Sequence, residues 1–545
     1  MAKIKFQKKE FEKYLTLEEK TLEKINMFGT PIEISDNEVE LEIFPNRPDL
    51  LSLQGFLRSF KSFIGKTPGL KKYKIHKPEK DYKVIISPSV NQVRPFTACA
   101  IVKNLDFTNE SIKEIIDLQE KLHSTIGRNR KKVAIGIYPL EKIKLPIRYE
   151  ALPPDKIIFT PLESDRELSA IQILQKHPTG KEYAHLLSGF QNYPVFLDSN
   201  KKILSMPPII NSNETGRIIE DTKEVFIECS GSDLSVLKKT LNIIITTLSD
   251  LGGHVYQMSL EYPKQKIITP DLKTETLKIS LENTNSLLGL KLKESDLQKL
   301  LPRMGYDYKK GKVNIPAWRT DILHEVDIIE DIAIAYGYDS LIPAIPKIST
   351  IGEESLNSKI ERKIAEILAG LNLIETSSYH LIKHKEAEIS KMKNLIELQD
   401  SKTDFKFLRP NLLIPALRIL AENKDNEYPQ NFFELGTSFS LKESKESKVI
   451  KETPTLIIIS SPGNFTYLKQ ILDYLARMLS ISYEIKPHNK KELIDGRTGA
   501  IIINNKEIGY IGELHPDTLR DFNIKMPASV IEISLEEIFN ILETK

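Results

Sequence analysis

Residues 316–338, PAWRTDILHEVDIIEDIAIAYGY, constrain the fold most, because they predict one amphipathic helix directly after the chain's single tryptophan. Apolar side chains recur at helical spacing and would form one buried stripe: Ile322, Val326, Ile329 and Ala333. Asp321 lies at the predicted helix start, where a carboxylate can accept hydrogen bonds from free N–H groups. Gly337 supplies the stop.

Three carboxylates share another face of this helix, because Asp327, Glu330 and Asp331 are three and four residues apart. Their like charges repel, so the face needs a compensating cation, and oxygen ligands on one turn suit hydrated Mg²⁺. Two alternatives stand beside a Mg²⁺ site. The acids can form an ordinary solvated face. The Arg319 side chain can instead satisfy one of them, which would make a metal unnecessary.

Length and composition predict a soluble chain of three to five domains, since 545 residues carry a net charge of only +2 and 28% charged residues. The two cysteines form no CxxC pair, which argues against a zinc knuckle and a disulfide framework. No apolar run has membrane-spanning length, and the N-terminus lacks the apolar region of a signal peptide. A cytoplasmic protein without membrane contact is therefore predicted.

The first predicted domain is an α/β unit over residues 1–80. Thr16 and Glu19 predict a capping box for a helix that ends near Gly29. Alternation over residues 38–43 predicts a strand with its glutamates outward, and the PNRP sequence after it predicts a turn. Asp49 is the predicted cap of the next helix, and residues 65–80, rich in Lys, Pro and Gly, are predicted to be a linker.

The second predicted domain spans residues 82–265 and alternates strands with helices. A helix capped by Ser111 and Glu114 is predicted to lead to a basic cluster over residues 128–132. This cluster is either a solvated face or a contact for the sugar–phosphate end of an RNA. The polar loop over residues 207–217 is either a plain turn or the lining of a pocket.

Two further domains complete the predicted α+β multidomain fold. Residues 268–345 form a helix-rich domain that contains the acidic helix. Residues 350–545 begin with a long helix, after which strands dominate, so an antiparallel sheet with flanking helices is the simplest architecture.

Several motifs carry a resemblance to a known family. Residues 316–338, with PAWRTDI followed by Glu325, the acids and YGY, resemble the signature of the B5 domain in the β subunit of phenylalanine–tRNA ligase. In that family the carboxylates that match Asp321, Asp327, Glu330 and Asp331 hold Mg²⁺. The segment FPNRPDLLSLQGFLR resembles the N-terminal signature of the same subunit, and this implies that Asn46 and Arg47 fix a turn and an interface.

The segments LQEKLHSTIGRNRKKVAIGIY and SMPPIINSNETGRI resemble the B3/B4 editing domain of the archaeal and eukaryotic β subunit. That domain hydrolyses tyrosine wrongly joined to tRNA(Phe). A pocket that selects phenylalanine by apolar contact rejects an added hydroxyl only weakly, so a second site is needed. The resemblance implies a pocket that orients water without a covalent nucleophile, and its candidate lining residues are His123, Arg130, Asn211, Ser212 and Thr215.

The segments LRPNLLIPAL and NFFELG resemble motif 2 of class II synthetases, but the Gly-rich third motif is absent near the C-terminus. We therefore predict a catalytically silent synthetase-like domain in which Arg409 and Glu434 are structural. The resemblance is to the short archaeal/eukaryotic form, which lacks the C-terminal anticodon-binding domain.

The resemblance implies an editing and scaffold subunit that works in an α₂β₂ heterotetramer. The α subunit would bind ATP and phenylalanine and charge tRNA(Phe), while this chain binds tRNA and removes errors. One rival interpretation is a stand-alone RNA-binding and interaction protein with the same fold. A second is a Mg²⁺-dependent phosphodiesterase built on the acidic helix, although that chemistry needs two metals and the sequence indicates one.

Overall fold

The computed structural model describes residues 2–345, 351–390, 394–443 and 448–543. By the density of its contacts the chain divides into two compact units, residues 1–345 and 346–545. The four domains predicted from the sequence divide the first unit further into three. Within the described residues, no helix combines the length and the apolar character needed to cross a membrane.

The helices of the first unit are distributed along its whole length. They are α1 (Lys8–Glu12), α2 (Glu19–Met27), α3 (Leu53–Phe63), α4 (Asn109–Ser124), α5 (Ala170–Lys176), α6 (Pro178–Tyr183), α7 (Asn213–Gly216), α8 (Leu234–Asp250), α9 (Leu281–Leu288), α10 (Glu294–Arg303) and α11 (Glu325–Tyr336).

The strands of the first unit are mostly short. They are β1 (Ala2–Gln7), β2 (Ile32–Ile34), β3 (Glu38–Ile43), β4 (Ile75–His76), β5 (Lys83–Ile86), β6 (Phe96–Lys103), β7 (Val133–Pro139), β8 (Ile147–Leu152), β9 (Ile158–Phe159), β10 (Leu168–Ser169), β11 (Tyr193–Leu197), β12 (Ile203–Met206), β13 (Ile210–Asn211), β14 (Val225–Gly231), β15 (His254–Glu261), β16 (Lys266–Thr269), β17 (Glu275–Lys278), β18 (Asp307–Lys309) and β19 (Lys312–Ile315).

A large mixed sheet forms the centre of the first unit. Its strands follow the order β13-β12-β11-β8-β5-β15-β6-β14-β7, and β4 and β16 also pair with β15. Strand β14 lies antiparallel between β6 and β7, which places Glu228 directly opposite Gly136. Smaller sheets have the orders β1-β3-β2 and β17-β19-β18, and β9 pairs with β10.

One apolar core connects three parts of the first unit that the sequence divides into separate domains. Phe56 of α3, Ile244 of α8 and Ile329 of α11 are all buried in it. Leucine and isoleucine recur at helical spacing over residues 235–251, which predicts one apolar face, and α8 buries it. The alternation over β3 is confirmed, with Val39, Leu41 and Ile43 buried. The three parts therefore bury apolar surface in one common core, and such burial is the main favourable contribution to folding.

Several predicted helix caps lie at other residues. The observed N-cap residues are Glu18 for α2, Ser52 for α3, Thr108 for α4 and His324 for α11, where the sequence predicted Thr16, Asp49, Ser111 and Asp321. The predicted end of α11 is confirmed. Gly337 ends this helix with a φ of +97°, a conformation that glycine adopts without strain.

Tertiary contacts explain two of these differences. Asp49 is buried and accepts both hydrogen bonds from Arg47, so it is not available to cap α3. Glu114 accepts a hydrogen bond from the Gln54 N–H at the start of α3, and so it caps a neighbouring helix rather than its own. Long-range partners of this kind are not visible in local spacing.

The predicted linker over residues 65–80 is instead an ordered strap. Its β4 pairs in parallel with β15, and the Gly69 N–H donates to the Pro302 carbonyl over 2.7 Å. Tyr73 packs edge-on against Trp318, with ring centroids 5.4 Å apart. The Lys-, Pro- and Gly-rich composition therefore marks a segment that crosses the surface of the first unit and is fastened to it.

The second unit contains the antiparallel sheet with flanking helices that the sequence predicts. Its sheet has the order β20-β23-β24-β28-β27-β26-β25 and is antiparallel except for the pair β20–β23. The strands are β20 (Ile374–Glu375), β21 (Leu381–Lys383), β22 (Phe405–Leu408), β23 (Gln430–Glu443), β24 (Lys448–Ser461), β25 (Glu484–Pro487), β26 (Leu493–Ile503), β27 (Lys506–Leu514) and β28 (Ser529–Ser534). The helices are α12 (Leu356–Gly370), α13 (His384–Ser390), α14 (Leu413–Glu422), α15 (Phe465–Met478), α16 (Pro516–Asp521) and α17 (Glu536–Glu543).

Replacement of Gly55 by alanine tests the packing of α3. A Cβ at this position would lie 2.1 Å from the Asp49 backbone oxygen, so Gly55→Ala should destabilise the first unit by about 1–3 kcal/mol. This is opposite to the stabilisation of up to about 1 kcal/mol that Gly→Ala gives at an open helix position. Urea unfolding followed by Trp318 fluorescence measures the effect.

Gly370, the last residue of α12, is the matched control. Among the described residues nothing lies within 4 Å of a Cβ built there, so Gly370→Ala should be neutral or stabilising. A Gly55→Ala variant as stable as the unsubstituted chain would contradict the packing described for α3.

Candidate functional site

Arg319 balances the charge at the start of the acidic helix. Its Nε and Nη2 donate to the two carboxylate oxygens of Asp321 over 2.8 and 2.7 Å, and Nη2 also donates to Asp331 over 2.8 Å. The Tyr306 hydroxyl donates a short hydrogen bond to the same Asp331 oxygen. Burial alone would lower the pKa of Arg319, but Asp331, Tyr306 and Asp321 outweigh it and hold that pKa well above its ordinary value.

The other two predicted metal ligands serve different purposes. Asp327 accepts the backbone N–H groups of Leu323 and His324 over 2.7 and 2.8 Å and so closes the first turn of α11. Glu330 is exposed. In the described part of the chain, no three or more His, Cys, Asp or Glu side chains are grouped as metal ligands. The four carboxylates as arranged therefore do not fit a shared Mg²⁺ site, and the geometry favours the alternative in which Arg319 supplies the cation.

The predicted apolar stripe of this helix is confirmed in part. Ile322, Ile329 and Ala333 are buried, whereas Val326 is half exposed. The reason is that α11 begins at Glu325, so Val326 lies in its first turn, while Ile322 belongs to the loop before it.

A cavity of about 480 Å³ opens beside α4, α6 and the loop over residues 207–211. It is lined by His123, Arg130 and Asn211, as the sequence predicted. Ser212 and Thr215 are buried outside this lining, and the Thr215 hydroxyl donates to the Leu204 carbonyl over 3.4 Å. The sequence therefore identified the loop but assigned two side chains that point into the protein.

His123 connects α4 to the sheet. Its Nε2 accepts the Ile135 N–H over 2.8 Å, so the ring hydrogen lies on Nδ1, which faces a Glu120 oxygen at 3.2 Å. Burial lowers the pKa of His123, which keeps the ring neutral. Both nitrogens are engaged, so His123 positions other residues and is not free to accept a proton from water.

Arg130 holds the loop over residues 207–211 against α4. Its Nη1 donates to the Ile209 carbonyl over 2.7 Å, its Nη2 donates to Glu120, and its guanidinium lies 4.5 Å from the centre of the Tyr183 ring. Burial would raise the pKa of Glu120, but the His123 and Arg130 hydrogen bonds outweigh it and lower that pKa to about 2. Within the basic cluster, Arg130 is thus an internal brace rather than a solvated charge.

Glu228 is a cavity residue that no motif in the sequence indicates. It lies on β14, is 1% exposed, and burial raises its pKa to about 8, so the carboxyl is neutral at pH 7. The Tyr138 hydroxyl lies 3.3 Å from both Glu228 Oε1 and Asn211 Oδ1. A single phenolic hydrogen can serve only one of them, so protonated Glu228 can donate to Tyr138 while Tyr138 donates to Asn211.

The second carboxyl oxygen of Glu228, Oε2, is buried and has no hydrogen-bond partner among the described residues. We call it the open oxygen of Glu228. Gly136 makes room for the arrangement, because a Cβ there would lie 2.1 Å from the Tyr138 hydroxyl and 2.7 Å from Glu228. The signal that could have revealed Glu228 is its place in the apolar strand VFIECSG, where a lone acid is costly.

His177 offers a second open group at the same cavity. Its Nε2 lies 3.1 Å from the Leu162 carbonyl, and since that oxygen can only accept, Nε2 carries the hydrogen. Its Nδ1 is then a bare acceptor, and it is buried without a hydrogen-bond partner in the part of the chain that the structure describes. His177 can therefore accept a hydrogen bond, or a proton, from water in the cavity.

The motif 2-like residues of the second unit form a buried ion pair. Arg409 donates to Glu434 over 2.7 Å, and both side chains are at most 3% exposed. Arg409 also donates to the Thr437 carbonyl and the Ser378 hydroxyl. The N-terminal signature contains a similar pair, in which Arg47 donates twice to Asp49 and fixes the turn before α3.

Comparison with known proteins gives a consistent result. The family described as "tRNA synthetase B5 domain" matches residues 277–338, and "Phenylalanyl tRNA synthetase beta chain CLM domain" matches residues 342–535. The phenylalanine–tRNA ligase β subunit of Thermococcus sibiricus is 36% identical over 91% of this chain and 90% of its own. The β subunit of Archaeoglobus fulgidus is 36% identical, and the match covers 95% of this chain and 95% of that subunit. A crystal structure of an N-terminal fragment of the phenylalanyl-tRNA synthetase β subunit from Pyrococcus horikoshii is 35% identical, covers 62% of this chain and 99% of the fragment, and has a TM-score of 0.58.

A chelator experiment separates the two cations proposed for the acidic helix. If Arg319 neutralises the cluster, the thermal unfolding midpoint should be the same in EDTA and in Mg²⁺. The exposed Glu330→Gln variant should change the free energy of unfolding by less than about 0.5 kcal/mol. Arg319→Gln leaves two buried carboxylates without their cation and should cost about 3–5 kcal/mol. A midpoint that Mg²⁺ raises in the unsubstituted chain but not in Glu330→Gln would establish the metal site instead.

The pH dependence of stability tests the neutral state of Glu228. The folded carboxyl has a pKa of about 8 against an ordinary value of 4.5, so between these values the folded state holds a proton that the unfolded state has lost. Stability from this group is therefore lost as pH rises through that window, by on the order of 3 kcal/mol at pH 7. Glu228→Gln should be stabilised relative to the unsubstituted chain, by an amount that grows from pH 5 to pH 8.

Glu224→Gln is the control, because Glu224 lies four residues earlier and outside the cavity lining. Its stability difference is the reference against which the pH dependence of Glu228→Gln is read. A Glu228→Gln difference that is independent of pH would show that Glu228 is ionised in the folded protein.

Proposed function

The chain belongs to the family of phenylalanine–tRNA ligase β subunits, and we propose that the cavity lined by Glu228 is where it hydrolyses tyrosine wrongly joined to tRNA(Phe). Family membership makes the chain a component of an aminoacyl-tRNA synthetase and implies an α subunit as its partner.

The α subunit is proposed to bind ATP and phenylalanine and to charge the tRNA, in a cytoplasmic α₂β₂ tetramer. The second unit of this chain supports that division of labour. Its motif 2-like Arg409 and Glu434 are buried and bonded to each other, so neither can contact ATP or an amino acid without breaking the pair. A silent synthetase-like unit in the β chain leaves charging to the α subunit.

The open oxygen of Glu228 is the observation on which the editing proposal depends. The phenolic O–H of a bound tyrosine can donate to this oxygen, whereas phenylalanine would leave it buried and unsatisfied. A site built around a hydroxyl rejects the analogue that lacks it by far more than an apolar pocket rejects an added hydroxyl. The cavity can therefore select tyrosine, which is the error that an apolar charging site lets through.

Hydrolysis in this cavity is proposed to use an oriented water rather than a covalent nucleophile. His177 supplies the acceptor for that water, because its Nε2 hydrogen is directed at Leu162 and its Nδ1 lone pair is open. Arg130 and His123 hold the walls of the cavity through their bonds to Ile209 and Ile135. The hydroxyls at the 3′ end of the tRNA can assist the same step.

The acidic helix gives little support to the rival phosphodiesterase interpretation. Arg319 occupies Asp321 and Asp331, and Asp327 closes a helix turn, so the carboxylates are not arranged to hold two metals. The interpretation as an RNA-binding module without hydrolysis differs from editing only in turnover, and so an assay of turnover decides between them.

Deacylation of Tyr-tRNA(Phe) by the full chain assembled with its α subunit is the direct test. Glu228→Leu removes the acceptor for the phenol and should lower kcat/KM for Tyr-tRNA(Phe) by about 10²-fold. Glu228→Gln retains an acceptor oxygen and should keep most of the activity. His177→Phe should lower kcat more than it raises KM, because the group acts on the water.

Glu224→Leu, outside the cavity lining, is the matched control and should leave deacylation unchanged. Charging with phenylalanine should be normal in all of these variants. Binding of tRNA without any deacylation by the unsubstituted complex would favour the RNA-binding module. Equal deacylation by Glu228→Leu and Glu224→Leu would place tyrosine recognition elsewhere.

A further inference from the structure

A second cavity, of about 400 Å³, lies in the first unit where the N-terminal signature meets the signature of the acidic helix. We call it the basic cavity, because Arg47, Arg58, Lys61, Lys71 and Arg319 line it together with a single carboxylate, Asp250. The editing proposal does not use it. The two sequence signatures that converge here are therefore not fully explained by editing.

Two of its guanidinium groups have their charge matched at close range. Arg47 donates from Nε and Nη2 to both oxygens of Asp49 over 2.9 Å. Arg319 donates from the same two nitrogens to Asp321 over 2.8 and 2.7 Å. The parallel N–H bonds of Nε and Nη2 form the edge of a guanidinium that binds two oxygens of one anion.

Arg58 lacks that anion. Its Nη1 donates to Asp250 over 2.7 Å and to the Tyr73 hydroxyl over 3.1 Å, and its guanidinium lies 4.7 Å from the centre of the Trp318 ring. Its Nε and Nη2, which we call the open edge of Arg58, are buried and find no acceptor among the described residues. The same is true of Arg319 Nη1 within the described chain. Each buried donor left in this state costs about 1–3 kcal/mol.

The basic cavity has more positively charged side chains in its lining than negatively charged ones. Asp250 is shared, since Lys71 and Tyr73 also bond to it, over 2.6 and 2.8 Å. Lys61 stacks on the Tyr14 ring, and burial, together with the nearby Lys71 and Lys66, lowers its pKa. A bound anion would offset the repulsion between Lys61 and these two lysines.

We propose that the basic cavity binds a phosphate group, with two of its oxygens on the open edge of Arg58 and further contacts from Arg319 Nη1 and Lys61. A phosphate fits better than a carboxylate, because it offers three or more acceptor oxygens and up to two charges to donors on several sides. The phosphate belongs either to a free anion, such as phosphate or diphosphate, or to the backbone of an RNA, and the chemistry of recognition is the same.

Calorimetric titration of the purified full chain tests the proposal. Inorganic phosphate, diphosphate and tRNA are titrated separately, with ionic strength held constant by chloride. Arg58→Lys keeps the charge and a donor for Asp250 but removes the open edge, and Lys61→Gln removes the neighbouring cation. Each should weaken phosphate binding by about tenfold or more, as expected for loss of a charged hydrogen bond. Lys66→Gln, exposed and outside the lining, should bind as the unsubstituted chain does.

The pattern across the variants decides the outcome. Binding of phosphate or diphosphate that both cavity variants weaken identifies a free anion as ligand. Binding of tRNA that the same variants weaken, and that phosphate displaces, identifies an RNA phosphate. No binding of any probe beyond the chloride control, or equal binding by Lys61→Gln and Lys66→Gln, overturns the proposal. If Arg58→Lys does not fold, the Lys61→Gln comparison alone decides. Because Glu228 lies in a different cavity, failure here leaves the editing proposal untouched.

Discussion

Burying a charged group costs several kcal/mol unless an opposite charge or a hydrogen-bonding partner compensates it, and this constraint organises the structure. At three places where the chain buries an arginine for structural reasons, it supplies a carboxylate at close range. Arg47 with Asp49 fixes the turn before α3, Arg319 with Asp321 fixes the entry to α11, and Arg409 with Glu434 holds the second unit. The segments that resemble family signatures are thus, in large part, the segments that contain these pairs.

The same constraint identifies two buried groups whose hydrogen bonding is only partly satisfied by the described residues. Glu228 is buried with the Tyr138 hydroxyl beside Oε1 and with no hydrogen-bond partner for Oε2 among the described residues, and it avoids the cost of ionisation by remaining protonated. Arg58 cannot lose its charge, so its open edge retains an unmet demand for an anion. Perturbed or unpartnered buried groups beside a cavity, such as this neutral acid and this guanidinium, are typical of binding sites. Both lie in the first unit, whereas the buried arginine of the second unit, Arg409, is satisfied.

The sequence predicted the elements well where local pattern decides the structure. Residues only a few positions apart determine the alternation of β3, the apolar face of α8 and the glycine that ends α11. Prediction failed where a distant residue decides. Spacing predicts Asp49 as a cap, but its carboxylate is taken up by Arg47. Composition predicts a linker over residues 65–80, but the contacts that order this segment lie far along the chain. Ser212 and Thr215 are predicted to line the cavity with Asn211, but both side chains are buried outside its lining, at the start and within the short helix α7. Glu228 was missed because one acid in an apolar strand belongs to no motif.

The protonation state of Glu228 is the central claim, since it sets the pH dependence of stability and decides whether Glu228 donates its hydrogen to Tyr138. It can be measured by a carbon-13 NMR titration of the full chain labelled at glutamate carboxyl groups, with the resonance assigned by its absence in Glu228→Gln. The account predicts a carboxyl that titrates with a pKa near 8 and is neutral at pH 7. A Glu228 resonance that titrates at its ordinary value near 4.5 would contradict it.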